Sequence, residues 1–148
     1  MLHDTIKQNF LAILKEELIP AMGCTEPIAL AYASAKARAV LGGDPDRIVA
    51  KCSGNIIKNA YSAGIPGTGL TGIEYAAAIG AIVAAPEKQL EVIADVTEDE
   101  IKEIINFLDT TTIEVEMLDQ GLIFDMIITV EKADSYVKVR ISDYHTNI

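Results

Sequence analysis

Cys24 is the residue of this chain best placed to do chemistry, because it stands where a helix can begin. Residues 21–33 read AMGCTEPIALAYA. Thr25 is a good N-cap, Glu26 suits the positive end of a helix, and Pro27 is tolerated in the first turn. A thiol at this position should be favoured as the thiolate, which can act as a nucleophile or a metal ligand. Most single cysteines are instead small buried hydrophobes, and Cys52, within an apolar strand pattern, is predicted to be one.

Residues 54–72 form a second candidate, a segment rich in glycine and short polar side chains. Asn55, Lys58 and Asn59 stand close together, and residues 66–69 read PGTG. Glycines let backbone N–H groups approach an anion, and Lys58 could pair with a substrate carboxylate. The segment lacks the GK[ST] ending of a P-loop and the Rossmann glycine pattern, so nucleotide binding is not expected. For PGTG alone, a tight structural turn is the default interpretation.

His145 is the third candidate, in the final residues HTNI. A lone histidine near a chain end is normally a surface residue. In this chain it directly follows an apolar strand pattern, after which the sequence stops.

The spacing of apolar residues predicts helices first and strands last. Helices are predicted over residues 4–19, from Thr25 to Gly42, over 73–85 and 87–94, and after a capping box formed by Thr97 and Glu100. Strands are predicted over residues 47–53, 111–118, 122–133 and 135–144, the last three antiparallel. Residues 54–72 are predicted to be a loop with one helical turn. The fold class predicted is α+β, with several helices packed on a mainly antiparallel sheet in one domain spanning residues 1–148.

Composition limits the kinds of partner. The net charge of −10 argues against nucleic acids and anionic membranes, because both bind basic patches. No signal peptide or membrane-spanning stretch is predicted, so the expected location is the cytoplasm. There a disulfide between the two cysteines is not expected.

Four motifs occurring in order carry a resemblance to a known family. They are MGCTEPIA at residues 22–29, SGNIIKN at 53–59, IPGTG at 65–69 and HTNI at 145–148. Together they resemble the N-terminal part of the L-cysteine desulfidase family, which is related to the iron–sulfur L-serine dehydratase α chain. The resemblance implies that this chain is the N-terminal fragment of a longer one, or one subunit of a split protein, and leaves a homo-oligomer open.

The resemblance also implies a chemistry, the α,β-elimination of L-cysteine to pyruvate, ammonia and sulfide. It assigns Cys24 as one ligand of a [4Fe–4S] cluster whose other ligands lie in a missing cysteine-bearing domain or subunit. A ligand set incomplete in this chain predicts no stable cluster and no activity for it alone. Lys58 and His145 are then candidate catalytic residues. The candidate substrate-binding residues are Thr25, Glu26, Asn55, Asn59, Gly67, Thr68 and Gly69.

Three alternatives stay open on the sequence. The first is an L-serine dehydratase α-type subunit, since nothing in the chain distinguishes the leaving sulfur from oxygen. The second is a non-catalytic regulatory or assembly domain. The third is thiol hydrolase chemistry, with Cys24 as nucleophile and His145 as base, which requires the two side chains within hydrogen-bond reach.

Overall fold

Helices and a single mixed sheet are formed by residues 3–83 and 85–148, the part of the chain that the computed structural model describes. The helices are α1 (Asp4–Glu17), α2 (Thr25–Leu41), α3 (Gly54–Ala60), α4 (Ile73–Val83) and α5 (Glu98–Thr110), with a 3₁₀ segment at Pro86–Glu91. The strands are β1 (Arg47–Cys52), β2 (Thr112–Met117), β3 (Asp125–Lys132) and β4 (Ser135–Ser142). This arrangement confirms the predicted α+β class. Residue 84, within the predicted helix 73–85, lies outside the described residues.

The sheet has the strand order β2-β1-β3-β4. Strands β1 and β3 pair antiparallel, as do β3 and β4, so the sheet is mainly antiparallel as predicted. The three C-terminal strands alternate in direction as predicted, but β2 and β3 are not neighbours, because β1 lies between them and pairs with β2 in parallel, with Arg47 opposite Thr112. A parallel neighbour needs a long crossover connection, and α3, α4 and α5 lie between the two strands in the sequence.

The core is built around α2, which is packed unusually closely against α4. Gly80 of α4 lies so near α2 that a Cβ atom there would stand 2.1 Å from the carbonyl oxygen of Ala31. The buried hydroxyl of Ser34 donates a hydrogen bond of 2.7 Å to the carbonyl of Ala77 across the same contact. Small side chains are therefore required on both helices, which explains the alanines in their sequences.

Strand β1 shows why the sheet has one buried face and one polar face. Ile48, Ala50 and Cys52 are fully buried, whereas Arg47 and Lys51 point the other way, as the two-residue period of a strand requires. The guanidinium of Arg47 reaches Glu114 at 2.9 Å and Glu131 at 3.0 Å, on the strands either side. These pairs are partly exposed, so they contribute to cross-strand register more than to stability.

Local boundaries follow the sequence in some places and depart from it in others. The capping box of Thr97 and Glu100 is confirmed, and Gly42 ends α2 in the left-handed conformation with φ of 80°. Cys24, not Thr25, is the N-cap of α2, so the helix begins one residue earlier than predicted. The predicted loop after β1 opens with the full helix α3. The predicted helix 87–94 is a 3₁₀ segment with a break at Gln89.

Helix α1 stands apart from this core. It has no buried residue, and every residue from 3 to 24 is exposed. Within the described part of the chain, no helix has both the length and the apolar character that crossing a membrane requires.

Candidate functional site

Three separate segments meet at the N-terminus of α2. Gly23 lies against the ring of Pro66, and a Cβ atom at Gly23 would stand 2.6 Å from the Pro66 Cγ. Gly23 also has a φ of +151°, which side chains rarely allow, so glycine is needed there on two grounds. Asn59 of α3 donates a hydrogen bond of 3.0 Å from its Nδ2 to Glu26 Oε1. The contacts bring together three of the motifs found in the sequence.

The Cys24 thiol is exposed and donates a hydrogen bond from Sγ to Glu26 Oε2 at 3.3 Å. Partial burial, this hydrogen bond and the negative charge of Glu26 all raise the pKa of Cys24, against a smaller opposing effect of a backbone hydrogen bond. The expectation that the helix N-terminus favours the thiolate is therefore wrong. The helix dipole would stabilise a thiolate, but the negative charge of the Glu26 carboxylate, two residues along the chain, counteracts this stabilisation. At neutral pH the sulfur therefore keeps its proton.

Glu26 is held as a carboxylate by its donors. Burial alone would raise its pKa, but hydrogen bonds from its own backbone N–H, from Asn59 and from Cys24 outweigh burial and lower the pKa; the positive charge that His145 carries when protonated at acidic pH adds a smaller lowering effect. The Thr25 hydroxyl is also near, with Oγ1 at 3.5 Å from Glu26 Oε2, which is a weak contact. The result is a thiol and a carboxylate joined by a hydrogen bond, with the carboxylate fixed from its far side.

A small cleft adjoins this pair and contains His145. Its volume is about 200 Å³, and its lining residues are Glu16, Glu17, Ile19, Thr25, Leu90, Tyr144 and His145. The His145 ring packs against Phe124, with ring centroids 4.3 Å apart, and its Nε2 is buried without a hydrogen-bond partner among the described residues. Burial lowers the pKa of His145, partly offset by the carboxylates of Glu26 and Glu17. At neutral pH the cleft therefore contains carboxylates facing an uncharged imidazole.

Two predicted residues of α3 lie elsewhere. Asn55 lines a larger cleft of about 530 Å³ together with Gly54 and the chain after β2. That cleft has no ionisable residue except Asp119 in its lining, so we place the chemistry in the smaller cleft instead. Lys58 is exposed and forms no ion pair or side-chain hydrogen bond within the described residues. Within the part of the chain that the structure describes, no hydrogen bond or ion pair joins either residue to Cys24 or Glu26.

The PGTG loop contacts the site through Pro66, which lies against Gly23. The other residues of the loop stabilise the conformation of the loop. The buried Thr68 hydroxyl donates to the carbonyl of Ile65 at 2.8 Å and accepts from the N–H of Leu70 at 3.1 Å. Gly67 and Gly69 adopt left-handed conformations with φ of 77° and 72°. These contacts are those of a tight turn, and a substrate-binding role for the three residues stays a prediction.

Two earlier possibilities can be compared with the geometry. No hydrogen bond of the described residues joins Cys24 to His145, so the dyad needed for thiol hydrolase chemistry is not formed. No three His, Cys, Asp or Glu side chains within residues 3–83 and 85–148 come together as a metal site. Cys52 is buried in the sheet, where burial first and then Asp125 raise its pKa to about 12. The residues described do not by themselves fit an iron–sulfur cluster, and Cys24 as one of its ligands stays a prediction.

Sequence reasoning missed the residues that shape the cleft around His145. Glu17 and Ile19 come from the end of α1 and the chain after it, and the apolar pattern predicted only a helix over residues 4–19, with no role for these two residues in a site. Phe124 precedes β3 and gave no signal other than its hydrophobicity. Only a three-dimensional arrangement could show that these residues meet His145.

Comparison with known proteins finds relatives over nearly the whole chain. A UPF0597 protein of Desulfitobacterium hafniense is 54% identical over 146 residues, which is 98% of this chain and 34% of the relative. UPF0597 proteins of Actinobacillus pleuropneumoniae and Finegoldia magna are each 43% identical over 143 residues, which is 33% and 34% of their lengths. The chain thus spans about a third of the length of the curated relatives it matches. No family model matches the chain. No solved structure matches it either.

These relatives correct the resemblance drawn from the motifs. They carry the name UPF0597 protein and not L-cysteine desulfidase or L-serine dehydratase. The identification with the desulfidase family, the elimination reaction and the serine dehydratase or regulatory-domain alternatives are therefore wrong on this finding. The description of the protein as an iron–sulfur lyase of amino-acid catabolism is corrected with them, since neither the relatives' name nor the described residues support it.

Proposed function

We propose that the thiol of Cys24 and the carboxylate of Glu26 are the hydrogen-bonded polar pair of a site that binds a small molecule carrying a cationic amine. The observation that carries the proposal is the hydrogen-bond chain from Cys24 Sγ to Glu26 and on to Asn59, beside the cleft of His145. A sulfur exposed at the surface can meet a ligand. The carboxylate of Glu26, fixed by Asn59, accepts the hydrogen bond of the thiol and places a negative charge beside it.

The charge around the cleft supports a cation as the ligand. Glu16 and Glu17 line it, and Glu26 lies close enough to interact electrostatically with His145. Among the described residues that line the cleft, His145 alone can become positive, and burial disfavours its protonation. An ammonium group would therefore enter a region of negative potential, which a low-dielectric cleft concentrates.

Of the two charged groups of the predicted amino-acid ligand, only the ammonium group matches the negative potential of the cleft. Its carboxylate would need a cation or N–H donors elsewhere. Within the described residues, Lys58, the residue predicted for that role, forms no hydrogen bond or ion pair with Cys24 or Glu26, so the amine is the part of the ligand that we propose.

The protein is proposed to act in the cytoplasm. Both cysteines are free, with Cys24 exposed and Cys52 buried, which suits a compartment that keeps thiols reduced.

Charged thiol reagents test the site directly. The rate of reaction of Cys24 is measured with a cationic reagent, 2-aminoethyl methanethiosulfonate, and with its anionic counterpart, 2-sulfonatoethyl methanethiosulfonate. Each rate is divided by the rate of the same reagent with a small free thiol. A Cys52→Ala chain serves as the background, so that only Cys24 can react.

The proposal predicts that the cationic reagent reacts several-fold faster than the anionic one at low salt, and that Glu26→Gln reduces the ratio. High salt should reduce it as well, because it screens partly exposed charges. A ratio of one, or faster reaction with the anion, would contradict the proposed ligand class.

A further inference from the structure

Helix α1 presents an apolar surface that nothing in the described part of the chain covers. We call the exposed large side chains of α1 and of the chain between α1 and α2 the α1 apolar surface; they are Ile6, Phe10, Leu11, Ile13, Leu14, Leu18, Ile19 and Met22. Their exposed fractions run from 40% to 72%. Ile6, Phe10, Ile13 and Leu14 recur at the spacing of one helix face, so these four side chains form one apolar stripe along α1.

The contacts within α1 do not account for the stability of this helix. Helix α1 has 14 residues, and isolated helices shorter than about 12–15 residues are marginal in water. Its first-turn Asp4 and last-turn Lys15 suit the helix dipole, but no side chain caps its N-terminus. Most of the stability of such a helix must come from burying its apolar face.

The size of the surface matches a protein interface. Eight large apolar side chains that are about half exposed offer an area on the order of the ~800 Å² that each partner of a standard interface buries. Contiguous apolar patches beyond a few hundred Å² on a folded protein mark interaction sites.

The relatives point to the partner. Their chains are about three times as long as the region that matches this one, since the match covers 33–34% of each. In those proteins the same region is therefore joined to about twice its own length of polypeptide.

The position of α1 adds to this argument. The C-terminal end of α1 and the chain after it supply Glu16, Glu17 and Ile19 to the cleft of His145. A partner lying on α1 would border that cleft.

From these observations we infer that the α1 apolar surface is the docking site for the polypeptide that makes up the other two thirds of the relatives' length. The same contact would close the His145 cleft on the side of α1. The inference depends on the exposure of α1 and not on the proposed function, so either can fail alone.

The test compares α1 with and without the proposed partner. A chimera is made in which this chain replaces the matching segment of the Desulfitobacterium hafniense relative. Amide hydrogen exchange of residues 4–17 is then measured in the chimera and in the 148-residue chain alone. The docking inference predicts exchange in the chimera slower by at least about tenfold, because burial converts a fraying helix into part of a core.

A double variant and its control locate the contact. Phe10→Glu with Ile13→Glu should remove the protection in the chimera and leave the thermal midpoint of the isolated chain nearly unchanged, since both side chains are already exposed. Val40→Glu, at a position 72% exposed on α2, is the matched control and should change neither. If the chimera does not fold, the same exchange measurement on the intact relative and on its excised matching segment gives the comparison.

Two results would overturn the inference. Fast exchange of α1 in both contexts would show that nothing docks there. Slow exchange in the isolated chain that depends on its concentration, with a dimer in sedimentation analysis, would assign the surface to a second copy instead.

Discussion

Replacing Glu26 by Gln should make the Cys24 thiol more reactive. The substitution removes the negative charge beside the sulfur but keeps an oxygen that can accept the thiol hydrogen bond. Partial burial, the hydrogen bond to Glu26 and the charge of Glu26 raise the pKa of Cys24 in the native chain, in that order. Removing the charge leaves the first two effects largely in place, so the variant isolates the Coulombic contribution.

The distance between the two groups sets the size of the effect. Cys24 Sγ and Glu26 Oε2 are 3.3 Å apart, and both groups are largely solvated. With the dielectric constant of bulk water, two unit charges at this range interact by about 1 kcal/mol, which corresponds to about a fivefold change in thiolate population. A thiolate of lower basicity is also a weaker nucleophile. On a logarithmic scale this loss cancels roughly half of the increase in rate that the larger thiolate population gives. The net expectation is an alkylation rate two to three times higher, on the order of the two effects combined.

The assay is alkylation by iodoacetamide, an uncharged reagent, between pH 7 and 9.5. Modification is counted by mass spectrometry of the intact chain. Both chains carry Cys52→Ala. Asn59→Ala is the companion variant, because it removes the donor that fixes Glu26 without removing the charge.

An unchanged or slower rate in Glu26→Gln, with the fold intact, would refute the reasoning. It would mean that burial alone sets the reactivity of the thiol and that the carboxylate has no electrostatic effect on it. Faster reaction in Asn59→Ala than in Glu26→Gln would likewise contradict the assignment of the charge as the cause.

Three further predictions concern stability. The chain has no tryptophan whose fluorescence could report unfolding, so each is followed by the circular dichroism of the helices. Gly80→Ala should lower the free energy of unfolding in urea by about 3 kcal/mol or more. The added Cβ would stand 2.1 Å from the Ala31 carbonyl oxygen, so one of the two helices must move. A decrease below about 1 kcal/mol would show that the helices have room for the methyl group. Thr97→Ala should cost about 1 kcal/mol through loss of the capping box with Glu100, and an unchanged urea midpoint would contradict this. His145 has its folded pKa lowered from 6.5, so its contribution to stability is present above pH 6.5 and is lost as the pH falls through the folded value. His145→Gln should therefore lose less stability than the native chain between pH 7.5 and 5.5, and parallel pH profiles would refute the assignment.

Local signals in the sequence predicted the parts of the fold that depend on neighbouring residues. The capping box at Thr97 depends on a side chain and a backbone group three residues apart, and Gly42 ends a helix because it can adopt positive φ. Such features are fixed by residues adjacent in the chain, so they are visible before the fold is known.

Strand pairing is not visible in this way. The alternation of β2 shows that it is a strand but not which strand lies beside it. Short turns between consecutive strands favour hairpins, and β3 with β4 follows that expectation around Ala133. Strand β2 instead pairs with β1, nearly sixty residues earlier, and the three helices between them form the crossover connection.

The candidate site was predicted in part. Cys24, Glu26 and Asn59 were all singled out from their motifs, and the structure joins them by hydrogen bonds. Asn55 and Lys58 were grouped with Asn59 because they are near it in the sequence. A helix turns successive residues in different directions, and α3 directs Asn59 alone to Glu26.

The state of the Cys24 thiol could not be predicted from helix position alone. A helix N-terminus favours a negative charge, but the group that occupies that favourable place is the Glu26 carboxylate. Two negative charges 3.3 Å apart oppose each other, and the less acidic thiol keeps its proton. The balance depends on the rotamer of Glu26, which Asn59 fixes from a distant part of the sequence.

The most direct test of the proposed site is an NMR titration of the ¹⁵N-labelled chain with ethylammonium and, separately, with acetate, an anion of the same carbon count. The side-chain amide of Asn59 and the imidazole of His145 report on the two sides of the site. Saturable shifts of both with ethylammonium and none with acetate are the result that the proposed amine site predicts. Shifts with acetate alone, or none with either ion, would contradict it.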